Sequence, residues 1–205
     1  MPVTPDRSEA SQAYSEAIHR LLPLHFFYEK ADVDMPDFHF LEGDEVPYPY
    51  RSLLVHENDM TPTLAAFHHS KLYLRVHAHE STEEFVMRLV SLHSKASDKP
   101  VEYGAIAIQL AGLSPEVREL VTEGEVPLGA ILGEHSVVHR GSPTAYFSVP
   151  SDMLISAALN QPAGEMLYGR CNQLIDSDGM VFADIVEILP RSNESENWVQ
   201  SVNSN

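Results

Sequence analysis

Glu84-Phe85-Val86-Met87-Arg88-Leu89-Val90-Ser91-Leu92 is the stretch whose reading decides the fold. Alternation predicts a strand that is apolar on both sides. Phe85, Met87 and Leu89 lie on one face, and Val86, Val90 and Leu92 on the other. Arg88 therefore has no wet face to occupy. A guanidinium buried without an anionic partner costs several kcal/mol or more. The partner is either a protein carboxylate or a bound ligand, and the strand alone leaves both open.

Working outward, Leu72 to His77 alternates as a preceding strand, joined through the hydrophilic His79-Glu80-Ser81-Thr82-Glu83 as in an antiparallel hairpin. Val101 to Leu110 reads as the next strand, with Gly104 marking close backbone approach or a bulge. Ser114-Pro115-Glu116 opens a helix that Gly124 closes, and Pro127-Leu128-Gly129 begins another helical turn. Tyr146 to Val149, Leu167 to Ile175 and Met180 to Leu189 supply later strands, the last two linked by the turn Asp176-Ser177-Asp178-Gly179. Before Arg88, a helix is expected over Ser8–Tyr28, disturbed at Pro23. Residues 30–50 are expected to be mostly loop, and Leu53 to Val55 a short buried segment. A helix then follows, capped by Asp59 or Thr61 with Pro62 in its first turn. Strands joined by short turns, with helices between groups of them, predict an α+β fold around a mainly antiparallel sheet. One domain over residues 51–190 is expected, with 1–50 packing on it as an arm, helix and acidic loop, and 191–205 as a disordered tail.

The 205 residues are 43% hydrophobic and 21% charged, as in an ordinary globular chain. No apolar run approaches the ~20 residues of a bilayer span. The amino terminus lacks the basic-then-apolar layout of a signal peptide, so a cytoplasmic location is expected. A single cysteine, Cys171, excludes an intramolecular disulfide and a multi-cysteine metal site. The formal charge of −17 argues against a nucleic-acid backbone or an anionic membrane as partner. Any anionic ligand must then be held by a local cationic pocket, for which Arg51, Arg75, Arg88, Arg140 and Arg170 lead. No pattern fixes the oligomeric state.

The last strand repeats the oddity of the Arg88 strand. Glu187 shares a face with Val181, Ala183, Ile185 and Leu189, while Asp184 points the other way. A carboxylate on an apolar face is either paired or carries a raised pKa. One outcome is a structural ion pair with Arg88. The other is a closed pocket in which Arg88 holds a substrate carboxylate and Glu187 meets the far end of the molecule. The histidines at 77 and 79 share a strand face, but no HExxH motif accompanies them and no metal site is expected. Cys171 beside Arg170 is either a thiol of lowered pKa or a buried inert one.

Several of these pieces, in order, resemble the chorismate lyases (4-hydroxybenzoate synthases), and especially a divergent branch long known as a domain of unknown function. They are Asp59-Met60-Thr61, the Arg88 strand, Lys99-Pro100-Val101-Glu102-Tyr103-Gly104, Pro127-Leu128-Gly129, Leu167-Tyr168-Gly169-Arg170 and Val186-Glu187-Ile188-Leu189-Pro190. The resemblance covers roughly residues 51–190. It implies an about six-stranded antiparallel sheet with helices on one side and a cavity closed by helical flaps. It also implies conversion of chorismate to 4-hydroxybenzoate and pyruvate without cofactor or metal. Arg88 and Glu187 would be catalytic, and Met60, Thr61, Gly104, Leu128, Gly129 and Arg170 would bind substrate. Ala105 stands where some members carry an arginine, and the long stretch 139–166 is expected to form a different lid. The alternative is a non-catalytic module of related fold that binds an aromatic acid.

Overall fold

A computed structural model describes residues 19–192. The arm, the start of the first expected helix and most of the tail lie outside the described residues. The chain runs α1 (Leu22–Ala31), β1 (His39–Leu41), α2 (Tyr50–Leu54), α3 (Met60–Phe67), β2 (Leu72–Ser81), β3 (Phe85–Ser94) and β4 (Pro100–Gln109). It continues through α4 (Pro115–Glu123), α5 (Leu128–Glu134), β5 (His139–Pro150), α6 (Met153–Leu159), β6 (Met166–Asp176) and β7 (Val181–Leu189). The strands form one seven-stranded sheet in the order β1-β5-β6-β7-β4-β3-β2, every pairing antiparallel. This is the expected α+β fold, with a short extra strand at one edge. No helix among the described residues is long and apolar enough to cross a membrane.

Local chemistry sets the elements. Ser114 caps α4 by accepting from the Val117 N–H, Pro115 sits in its first turn, and Gly124 ends it with φ of 74°. Pro23 stands in the first turn of α1, where a missing N–H is harmless, and the helical residues His19 and Arg20 precede it across a turn at Leu21, the expected disturbance. Leu53 and Leu54 belong to the short helix α2. The hairpin between β2 and β3 is tighter than expected, since β2 runs on to Ser81. The 139–166 stretch is not a lid. Its first part is the twelve-residue strand β5, paired along β6, and its second is α6, capped by Asp152 accepting from the Ile155 N–H.

The sheet is buried on both faces, which is why β3 reads as apolar throughout. Met87 and Leu89 join Tyr103, Val186 and Ile188 beneath α1 and α6, where Leu24, Phe27, Ile155 and Leu159 close one core. On the opposite face, Val86, Ile106 and Ile108 pack under α4 and α5 through Val117, Val121, Leu128 and Ile131. Leu92 and Leu189 meet Leu53, Leu54, Met60 and Leu64 of α2 and α3. Helices therefore cover both faces, not one. Arg88 stands on the second face, between these two packed groups.

Candidate functional site

Arg88 and Glu187 approach the same region from two different strands. In β3, Arg88 pairs with Ile106 and Val90 with Gly104; in β7, Glu187 pairs with the same Gly104 from the other side. Gly104 is thus the floor of a trough between Val90 and Glu187. A Cβ there would run into the carbonyl oxygen of Val186, so only glycine lets the strands lie this close. The roof is made by the starts of two helices, Asp59-Met60-Thr61 of α3 and Pro127-Leu128-Gly129 of α5. The cavity between floor and roof holds about 70 Å³. An apolar cavity of about 150 Å³ is needed to take up benzene, so an aromatic occupant requires the roof helices to part.

The polar groups sit at opposite ends of this trough. Ile106 and Glu102 lie four residues apart on β4, about 13 Å along the strand. Arg88, beside Ile106, is 1% exposed. Its Nη1 donates to the Val126 carbonyl oxygen at 3.3 Å, and its Nε has no partner among the described residues. The left-handed Gly124 leaves room for this side chain, whose Cδ passes 3.5 Å from where a Cβ would stand. Burial pulls the guanidinium down to about 10, which still leaves it charged at neutral pH.

At the other end are Glu102, Glu187 and Asn172, which are 6%, 4% and 2% exposed. Glu187 Oε2 accepts from Arg170 Nε at 2.5 Å. Glu102 Oε2 has no hydrogen-bond partner. Burial pushes its carboxyl well above the usual carboxylate range, the nearby Glu187 pushes it further, and Arg170 opposes both. Burial and Glu187 thus both favour the protonated form of Glu102. Asn172 Oδ1 is likewise unpartnered.

Met60, Thr61, Arg88, Gly104, Leu128, Gly129 and Glu187 all line this one cavity. Arg170 does not. Its Nη1 donates to the carbonyl oxygens of Leu54 and His56, and its Nη2 to that of Asn58, while Nε holds Glu187. Arg170 thus pins the α2–α3 connection to the sheet with four of its five N–H groups. The ion pair that forms is Arg170–Glu187, not Arg88–Glu187. Asp184 is outside the cavity and accepts from Gln173 Nε2 at 2.9 Å. Asp59 reaches the rim, but both its carboxylate oxygens are taken by His139 Nε2.

Sequence reasoning passed over Glu102 and Asn172. Its one available signal was that Glu102 shares a strand face with Gly104 and Ile106. Of the other groups weighed, Cys171 is buried, and burial pushes its thiol up to about 12, which makes it the inert kind. His77 Nε2 lies 2.9 Å from Ser91 Oγ.

A larger cleft of about 580 Å³ lies beyond α2, lined among others by Tyr50, Lys99, Glu165 and Arg191. It holds one unpartnered buried polar atom, Gln161 Nε2, and its Arg191 is paired with Glu165. The cavity beneath α3 and α5 holds three such atoms, on Arg88, Glu102 and Asn172, and they converge on one space. Buried polar groups left unpaired in a folded chain mark a place where something else completes them.

No protein-family model matches the chain, and no curated protein matches it either. Solved structures do. The effector domain of PhnF from Mycobacterium smegmatis aligns with a TM-score of 0.50 at 14% identity over 64% of this chain and 87% of that one. PhnF from the same organism aligns with a TM-score of 0.51 at 14% identity, over 66% of this chain and 64% of that one. The ligand-binding domain of a candidate GntR-family transcriptional regulator from Bordetella bronchiseptica gives 0.46 at 15% identity, over 60% and 86%. These identities establish a likeness of fold. They also correct the lyase expectation: the fold is chorismate lyase-like, yet the structures aligned at TM-scores of 0.50 and 0.51 are PhnF and its effector domain, not a chorismate–pyruvate lyase.

Proposed function

We propose that this chain is a small-molecule binding module whose cavity beneath α3 and α5 takes a compact organic anion, with Arg88 gripping the carboxylate. The observation that carries this is the state of Arg88: 1% exposed, charged, and using one N–H on Val126 while its Nε faces no acceptor. A buried guanidinium without a counter-ion is costly, and a ligand carboxylate accepting a bidentate pair of hydrogen bonds relieves that cost. The middle of the cavity is apolar, through Val90, Leu92, Ile106, Leu128 and Leu174, so the ligand has an apolar body.

The test is calorimetric titration of the full chain with benzoate, the simplest rigid monocarboxylate. Wild type is expected to bind, and Arg88→Met to lose at least about tenfold in affinity, the equivalent of ~1.4 kcal/mol. Equal binding by wild type and Arg88→Met overturns the assignment of Arg88 as the anchor.

A further inference from the structure

We infer that Glu102 is the second anchor of the ligand, a neutral acid whose O–H donates to an acceptor atom at the end of the molecule opposite its carboxylate. This rests on the reading of Arg88 given above and narrows it. The occupants become monoanions with a carbonyl-type acceptor about one ring length from the carboxylate, and dianions are excluded.

Three observations carry it. Glu102 lines the cavity, is 6% exposed and leaves Oε2 without a partner. It stands four residues along β4 from Ile106, the partner of Arg88, so the two groups bracket the apolar middle of the trough. Every neighbouring charge is otherwise committed. Glu187 on β7 is taken by Arg170 on β6, Arg170 is held by Glu187 and the α2–α3 carbonyls, and Asp59 at the rim is held by His139. The His56 ring beside Arg170 is kept neutral by burial and by that arginine. Arg170 is matched by Glu187, whereas Arg88 has no carboxylate partner, so Arg88 is the cation left to meet one ligand carboxylate. A second ligand carboxylate would meet Glu102 and Glu187 together. A neutral acid there can only donate or accept a hydrogen bond, so the complementary ligand atom is an uncharged acceptor.

The test compares three probes on the full chain at pH 7: benzoate, 4-acetylbenzoate and terephthalate. The last two are close in shape and differ by one negative charge. The expected order is 4-acetylbenzoate tightest, with benzoate and terephthalate each weaker by at least about tenfold, the worth of one buried hydrogen bond or one repelled charge. Glu102→Leu is expected to lose the preference for 4-acetylbenzoate over benzoate. Glu102→Gln, which keeps a donor and the volume, retains that preference and guards against a variant that fails to fold. Its affinity stays level with rising pH, whereas that of wild type falls once Glu102 ionises. Equal binding of all three probes, with Arg88→Met still defective, overturns the role of Glu102 and leaves Arg88 standing. Preference retained in Glu102→Leu overturns it too. If none of the three binds, the reading of Arg88 falls and takes this one with it.

Discussion

Two arginines in this protein are almost equally buried, and their removal should act in opposite directions. Arg88 is 1% exposed and Arg170 is 0%. Burial brings the Arg88 guanidinium from its ordinary value down to about 10. At ~1.36 kcal/mol per pH unit, that is about 3 kcal/mol against the charged form. The unfolded chain binds the proton more tightly, so this cost is fully present at neutral pH and fades only as pH rises above about 10. Arg88→Met keeps most of the apolar stem and removes the charge. It is expected to stabilise the ligand-free protein by about 2 kcal/mol, raising Tm by roughly 4–8 °C for a chain of this size. Arg170→Met orphans the Glu187 carboxylate and the carbonyl oxygens of Leu54, His56 and Asn58. It is expected to cost about 3–5 kcal/mol. Urea denaturation followed by circular dichroism measures both. If Arg88→Met is destabilised to the same extent as Arg170→Met, Arg88 has a structural partner and the argument that it waits for a ligand is wrong.

Two further outcomes follow from the same geometry. Glu102 holds its proton in the folded chain and ionises near 4.5 in the unfolded one. Wild-type stability should therefore fall by up to ~1.4 kcal/mol per pH unit as pH climbs above about 4.5, until the raised folded pKa is passed. Glu102→Gln should lack that slope, and parallel urea midpoints for the two proteins between pH 4 and pH 8 would show that Glu102 is not a buried acid. Gly104→Ala should destabilise by about 1–3 kcal/mol or more, because the new methyl meets a backbone oxygen that cannot swing aside. A chemical-denaturation midpoint unchanged in that variant would refute the close approach of β4 to β7.

The fold was legible where hydrophobic pattern and turn chemistry agreed. β3 reads as buried on both sides because Phe85 to Leu92 carries apolar residues at odd and even positions alike. Ser114, Pro115 and Gly124 bound α4 for reasons that act within a few residues. β5 was harder, because His139-Arg140-Gly141-Ser142-Pro143-Thr144 is polar and its place in the sheet comes from long pairing with β6. In the site, the oddity of Arg88 and Glu187 was visible as charge on apolar faces. Their separation was not, since which arginine meets Glu187 depends on the register between β6 and β7, where Arg170 stands opposite it. Glu102 escaped notice because a glutamate two residues from a strand's start ordinarily faces water. Only the roof supplied by α3 and α5 turns that position inward.

The placing of β7 has a consequence for how the chain acquires its pocket. β2, β3 and β4 form a local meander, and β5 and β6 a second local pair; β7 lies between them in space although it follows both in sequence. Until it docks, β4 and β6 each present an open hydrogen-bonding edge with apolar side chains on both faces, a surface prone to wrong pairing. Joining β7 to β4 closes a loop that runs from Gln109 to Val181, the kind of distant pairing that slows folding. Gly104 meets Glu187 in that same step, so the binding trough cannot exist in any partly folded form that lacks the central strand. The trough over Gly104 and the covering of both open edges therefore form in the same step, the docking of β7.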